Sequence, residues 1–318
     1  MRSLRAAWRR LYGGNPYLLD YRFEDLVAEL KTVLVSRLRR VDIIHALYGD
    51  EHLNLLLSAK SLLPCPLVAT FHLPTSRVTG RFENGQFEKL RRLDGAIVVS
   101  TAQLVVFRRW FGRDNVVFVP HGIDTDVFQP ASSRPDVDGL RLICVGGHMR
   151  DFAMLHRVAD FCQNERLPVH FDLVIPQADF RCFTGCDNVT CWSNISEEDL
   201  IGLYQAADVQ FIPVTDATAN NAVLESLACG TPVITTDVGG MRDYVSSSCG
   251  WLLPCADTEA ALSLIRDLTR DKSPLVSRRP GARTQAECFS WDRVVEQCSV
   301  AYANVLSTGH IVRTSETT

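Results

Sequence analysis

Residues 216–240 read DATANNAVLESLACGTPVITTDVGG, and few folds accommodate such a stretch: a strand exit, one short helix, then a second strand. Asn220 and Asn221 suit a helix N-cap, residues 222–228 are helix-compatible, and Gly230 with Pro232 supplies a stop. Val233-Ile-Thr-Thr then reads as a strand. At about 100° per residue, Val223, Leu224, Leu227 and Ala228 share one side of the helix. Asn221 and Glu225, four apart, share another. One face can pack while the other meets a ligand. A helix start offers unpaired N–H groups and a positive dipole end, which suits phosphate, and Glu225 lies one turn inward where it can accept hydrogen bonds from hydroxyls.

The same alternation runs through the chain. Strands are expected over residues 41–46, 67–71, 96–99 and 116–120, with an amphipathic helix over 22–40 and helices near 52–60, 87–93 and 102–110. His72 stands just beyond the second strand, where ligand residues collect in open α/β sheets. The second half restarts with Leu140-Arg-Leu-Ile-Cys-Val145, followed by Gly146-Gly147 and His148-Met-Arg-Asp151 ahead of a helix over 152–164. Strand, Gly-rich turn and helix bring backbone close to a bound phosphate, and Arg150 adds a permanent cation there. Strands over 169–175, 189–192, 209–214 and 250–253 follow, with helices over 197–207 and 258–269. A loop rich in Arg, Pro and Gly then precedes a last helix.

Both halves therefore read as α/β, as doubly wound parallel sheets. A chain of 318 residues is longer than single cores usually grow. The expected division is 1–120, a linker over 121–139, a second domain over 140–288, and a C-terminal helix over 289–306 that packs back toward the first domain.

Charge separates the halves: the chain carries +7 through Phe118 and −11 beyond it, the two adding to the overall −4. A basic first domain implies an anionic counterpart, such as a lipid surface or a phosphorylated substrate. No nucleic-acid recognition motif accompanies it. No run of about 18 apolar residues suggests a membrane span, and MRSLRAAWRRLY lacks the apolar core of a secretory signal. The expected location is the cytoplasm, including its membrane face. The 11 Cys are odd in number and scattered, which argues against a disulfide framework. Cys182, Cys186 and Cys191 lack zinc spacing. Asp124-Thr-Asp126 follows Gly122-Ile and reads as turn chemistry rather than as a metal site.

The segments VDIIHA, PLVATFH, DGAIVVS, VPHGIDTDVFQP, LESLACGTPVITTDVGG and FSWDRVVEQ, in that order, resemble the retaining nucleotide-sugar glycosyltransferases of family 4. The resemblance covers residues 41–306. It implies the GT-B fold, two Rossmann-like domains facing a cleft, with the acceptor side first and the donor side second. It also implies a nucleotide-diphosphate sugar as substrate, no essential metal or other cofactor, and a lipid-linked, polysaccharide or small-molecule acceptor. Carried over by position, Glu225 is the second acid of the family's E-x7-E pattern and binds the donor ribose. Arg150 faces the diphosphate, and the backbone of Asn221, Ala222 and Val223 supports phosphates and sugar. Ser193, Asn194 and Ile195 meet the nucleobase, and His72 lies near the transferred sugar.

Two departures stand out. The first acid of the pattern falls on Ala217, leaving Asp216 or the Asn220 and Asn221 amides to take over the sugar contact. The family's opening strand is also missing ahead of Gly13-Gly14, so the first domain is short for the family. A nucleotide-sugar epimerase and a donor-binding subunit without activity share this architecture.

Overall fold

The computed structural model describes residues 23–51, 53–82, 87–134 and 138–312. They form two compact units: one holds the residues up to Pro120 together with those from Val295 on, and the other runs His121–Val294. Gly13-Gly14 and the Arg-rich first twelve residues lie outside the described residues.

In the first unit, helix α1 (Phe23–Leu38) leads into strand β1 (Ile44–Ala46), and the short helix α2 (Asn54–Ser58) leads into β2 (Leu67–Phe71). Helices α3 (Thr75–Phe82) and α4 (Phe87–Leu90) precede β3 (Gly95–Val98), and α5 (Thr101–Phe111) precedes β4 (Val116–Phe118). The four strands are parallel and lie in sequence order. Every residue of β2 and β3 is buried, as expected for central parallel strands covered on both faces. β1 is shorter than the strand expected over 41–46. Its register places residues 41–43 opposite 64–66, and Pro64 and Pro66 have no N–H to continue the ladder. Ser100 caps α5, its Oγ accepting from the Ala102 N–H at 3.1 Å.

The second unit carries β5 (Leu140–Val145), α6 (Phe152–Asn164), β6 (Val169–Val174), β7 (Val189–Trp192), α7 (Glu197–Ala206) and β8 (Val209–Ile212). Then come α8 (Asn221–Ala228), β9 (Val233–Thr236), α9 (Met241–Tyr244), β10 (Gly250–Leu253), α10 (Thr258–Arg270) and α11 (Ser273–Glu287). The parallel sheet has the order β10-β9-β8-β5-β6-β7. The chain moves outward from β5 to β7, returns to lay β8 against the other side of β5, and continues to β10. Strand order thus reverses between β5 and β8, the position at which open α/β sheets bind their ligands.

Two expectations change here. The Arg, Pro and Gly-rich stretch is not a loop but α11, with Pro280 inside it. Its tertiary contacts outweigh its poor helix propensity. Gly281 lets the helix approach so closely that an added Cβ would lie 2.2 Å from the Ser248 carbonyl oxygen. Leu275, Ala282 and Ala286 are fully buried, and Arg283 donates to the carbonyls of Thr125, Phe128 and Ala228. A linker is expected over 121–139, but its described residues up to Arg134 are built into the second unit. Ile123 and Phe128 belong to its core, and Arg134 donates to the carbonyls of Ala207, Cys229 and Gly230. The last helix, α12 (Trp291–Thr308), begins in the second unit, and from Val295 its residues count with the first.

His45 on β1 joins three elements of the first unit. Its Nδ1 lies 2.6 Å from the Tyr302 hydroxyl on α12, and its Nε2 lies 2.7 Å from Thr70 Oγ1 on β2. Burial pulls the imidazole pKa down to about 4. The unfolded chain takes up this proton near pH 6.5 and the folded chain only near pH 4, so the contribution is complete above pH 6.5 and is lost as pH falls between those values. From pH 7 to 5 this removes about 2 kcal/mol. Urea unfolding at both pH values should show that difference in the wild type and its loss in His45→Gln.

Candidate functional site

The turn after β5 is shaped by Gly146, whose φ of +86° is strained for a residue with a Cβ. There the Arg150 side chain folds back over its own turn. Nε and Nη2 donate to the Val145 carbonyl at 3.0 and 2.7 Å, and Nη1 donates to the His148 carbonyl at 2.9 Å. Nη2 also reaches Asn220 Oδ1 at 3.3 Å. Neutral acceptors fix the guanidinium, and among the described residues no carboxylate forms an ion pair with it. Burial lowers its pKa, while Cys144, Tyr204 and Glu225 act in the opposite direction.

The β5 turn is stitched to the loop leaving β8. Arg150 and Val214 form an antiparallel bridge. The Asp151 N–H donates to the Pro213 carbonyl and the Thr215 N–H to the Met149 carbonyl, each at 2.9 Å. The two loops that flank the point of strand reversal therefore hold each other in place.

Asn220 opens α8 in an extended conformation but does not cap it with its side chain. Asn220 thus stands at the expected N-cap position, but its Oδ1 is engaged by Arg150 instead of by the helix's own N–H groups. The Val223 and Leu224 N–H groups bond the Asn220 carbonyl at 3.0 and 3.2 Å. Those of Asn221 and Ala222 carry no partner among the described residues. The positive end of the helix is left open next to the Arg150 cation. Ala222 and Val223 are buried, so their backbone, not their side chains, is what a ligand can meet.

Glu225 lies one turn further along. Its Oε2 accepts from the Tyr204 hydroxyl of α7 at 2.8 Å. Burial raises the carboxyl pKa, the Tyr204 hydrogen bond lowers it, Glu197 raises it and Arg150 lowers it.

At the expected sugar-acid position, Ala217 is buried and its carbonyl accepts from the Gly240 N–H at 2.9 Å. The neighbouring Asp216 turns Oδ1 onto the Ala217 N–H at 2.8 Å. Gly239, at φ +53°, packs against both. Gly146, Gly147, Arg150, Asp216, Asn220–Val223 and Glu225 thus collect at the carboxyl ends of β5 and β8. Ser193, Asn194 and Ile195 follow β7 at the sheet edge, two strands removed from β5, with Asn194 at φ +54°.

His72 belongs to the first unit and follows β2. Asp50 Oδ2 accepts from the His72 N–H at 2.5 Å and from the Leu73 N–H at 3.2 Å, and the imidazole lies 5.0 Å from the Tyr48 ring. Sequence reading missed Asp50 and Tyr204. Asp50 follows Gly49, a weak turn signal, whereas nothing local marks Tyr204, which stands 21 positions from its partner. Asp124 Oδ1 accepts from the Asp126 and Val127 N–H groups, each at 3.0 Å, which is an Asx turn. No group of three or more His, Cys, Asp or Glu able to hold a metal ion occurs among the described residues.

A doubly wound sheet with a cation, an open helix start and a half-buried acid at its point of strand reversal is a Rossmann-like domain. The pattern described as "Glycosyl transferases group 1" matches residues 140–271, and "Glycosyltransferase Family 4" matches residues 3–127. The chain belongs to the family 4, group 1 glycosyltransferases. It is 37% identical over 132 residues to a D-inositol 3-phosphate glycosyltransferase of Saccharomonospora viridis, covering 41% of this chain and 30% of that one. It is 25% identical over 312 residues to an MMP alpha-(1->4)-mannosyltransferase of Mycolicibacterium hassiacum, covering 86% and 73% of the two chains. The chain therefore spans under a third of the first relative and about three quarters of the second. Among solved structures, Anabaena Alr3699/HepE in complex with UDP and glucose superposes with a TM-score of 0.70 at 16% identity, covering 85% of this chain and 80% of that one. The two parallel α/β domains are the GT-B architecture of such neighbours.

Proposed function

We propose that this chain is a retaining glycosyltransferase that moves a sugar from a nucleotide-diphosphate donor to a lipid-linked, polysaccharide or small-molecule acceptor. The observation that carries this reading is Arg150, a half-buried cation held among the described residues by neutral acceptors, set beside the open start of α8. Breaking a sugar to diphosphate bond leaves a developing anion, and a fixed cation with oriented N–H groups stabilises it without reorganisation. Glu225 accepts from the ribose hydroxyls, and Arg150 supplies positive charge that a metal ion would otherwise bring. The UDP and glucose bound to Anabaena HepE support a donor of this kind. His72 is assigned to the transferred sugar by resemblance alone.

An anionic membrane face at the cytoplasmic side fits α1. Leu30, Leu34 and Leu38, at 44%, 59% and 83% exposure, form an outward stripe next to Lys31 and Arg37. No helix among the described residues is long and apolar enough to cross a membrane.

The direct test is a thermal-shift panel of UDP-, GDP- and ADP-hexoses on wild type and Glu225→Ala. A true donor at 100 times its Kd stabilises the wild type by about 2.7 kcal/mol, with the shift lost in the variant. If no nucleotide sugar moves the wild type, the reading fails. Ala217 at the sugar-acid position favours one competing reading, a subunit that binds the donor without turning it over. Binding without transfer or hydrolysis would establish that reading, and a change of the donor sugar with no acceptor present would establish an epimerase.

A further inference from the structure

The geometry points to Tyr204 as a positioning residue that holds the Glu225 carboxylate in one orientation toward the donor's vicinal hydroxyls. This inference rests on the donor-site reading above and adds a residue from a different helix. Tyr204 is fully buried, and its hydroxyl spans from α7 to α8 to reach Glu225 Oε2 at 2.8 Å. The Tyr204 backbone is anchored in turn: Thr231 Oγ1 donates to the Tyr204 carbonyl at 2.7 Å and accepts from Arg134 Nη2 at 2.7 Å. Arg134 in turn ties the end of α7, through the Ala207 carbonyl, to the end of α8, through the Cys229 carbonyl. A carboxylate on a flexible stem loses rotamer freedom when it binds hydroxyls, and a phenol that has already fixed one oxygen removes much of that cost. The hydroxyl donates more strongly to a carboxylate than to a protonated carboxyl, so it favours the ionised form that ribose hydroxyls need.

The ionisable groups acting on Glu225 are Tyr204 and Glu197 from α7, Arg150 from the β5 turn and Cys229 at the end of α8. Burial and Glu197 favour the protonated acid, whereas Tyr204 and Arg150 oppose it. Removing the phenolic hydroxyl therefore shifts the balance toward protonation, and affinity that depends on the carboxylate is then lost at a higher pH as pH falls.

The test measures Kd for UDP-glucose and GDP-mannose between pH 5 and 8 on wild type, Tyr204→Phe, Glu225→Gln and the double variant. Tyr204→Phe keeps the ring that fills the core. It is expected to weaken binding about three- to tenfold at pH 7, to move the acid limb of the pH profile upward, and to raise KM more than it lowers kcat. In the Glu225→Gln background it should add nothing further. Equal affinity and an unmoved acid limb in Tyr204→Phe, with Glu225→Gln still impaired, would overturn the inference while leaving the donor site standing. So would an additive double variant, which marks Tyr204 as structural only. If neither sugar nucleotide binds the wild type, the donor-site reading falls and this inference falls with it.

Discussion

Arg150→Ala is expected to slow turnover about ten- to a hundredfold or more, because a charge-assisted hydrogen bond to a developing anion is worth about 1.5–3 kcal/mol. The side chain is preorganised by the Val145 and His148 carbonyls, so no reorientation is needed when charge forms on the leaving diphosphate. Arg150→Lys should recover only part of the loss, since one ammonium cannot reproduce a planar fork tied at Nε, Nη1 and Nη2. Steady-state kinetics with a donor from the thermal-shift panel decides the matter. Truncation also removes the donors that Arg150 supplies to the Val145 and His148 carbonyls and to Asn220 Oδ1, so the melting temperature of the free variant has to be measured alongside. Unchanged kinetics would remove Arg150 from the mechanism.

Gly239→Ala should abolish donor-induced stabilisation, even though it adds a single methyl group. Gly239 sits at φ +53°, and a Cβ there would lie 1.9 Å from the Ala217 carbonyl oxygen and 3.0 Å from Asp216 Oδ1. The obstacle is backbone, which cannot swing aside as a side-chain tip can. The loop leaving β8 has to shift, breaking the bond from the Gly240 N–H to the Ala217 carbonyl and loosening the start of α8. Overpacking and the left-handed backbone together cost about 2–4 kcal/mol. Gly185→Ala is the matched control: it has φ +92° with nothing within 4 Å of an added Cβ. It should cost only about 1 kcal/mol and leave donor binding intact. Equal behaviour of the two variants would show that backbone strain alone, not the packing of the two loops, sets the outcome.

Much of the site was legible because its determinants are local. Glycines at a strand end, an arginine in the turn and an acid one turn into a helix are fixed by spacing, and they fall together once parallel strands stack. Asn220 misled for the same reason. Its residue type suits a cap, but an arginine from 70 positions away takes its side-chain oxygen. α11 was misread because Pro280 and Gly281 argue against a helix locally, whereas the close approach to Ser248 demands that glycine.

By itself, the sequence determined the alternation of strands and helices, the restart at Leu140 that makes two units, and the placement of Arg150, the α8 start and Glu225 at strand exits. Those features depend on hydrophobic period and on backbone chemistry within a few residues. The tertiary structure alone decided that β8 returns to the side of β5, that Asn220 serves Arg150 instead of its own helix, and that Tyr204 holds Glu225. Each of these is a contact between residues far apart in the chain. Their energies appear only after the sheet has folded and excluded water, so no local pattern could announce them.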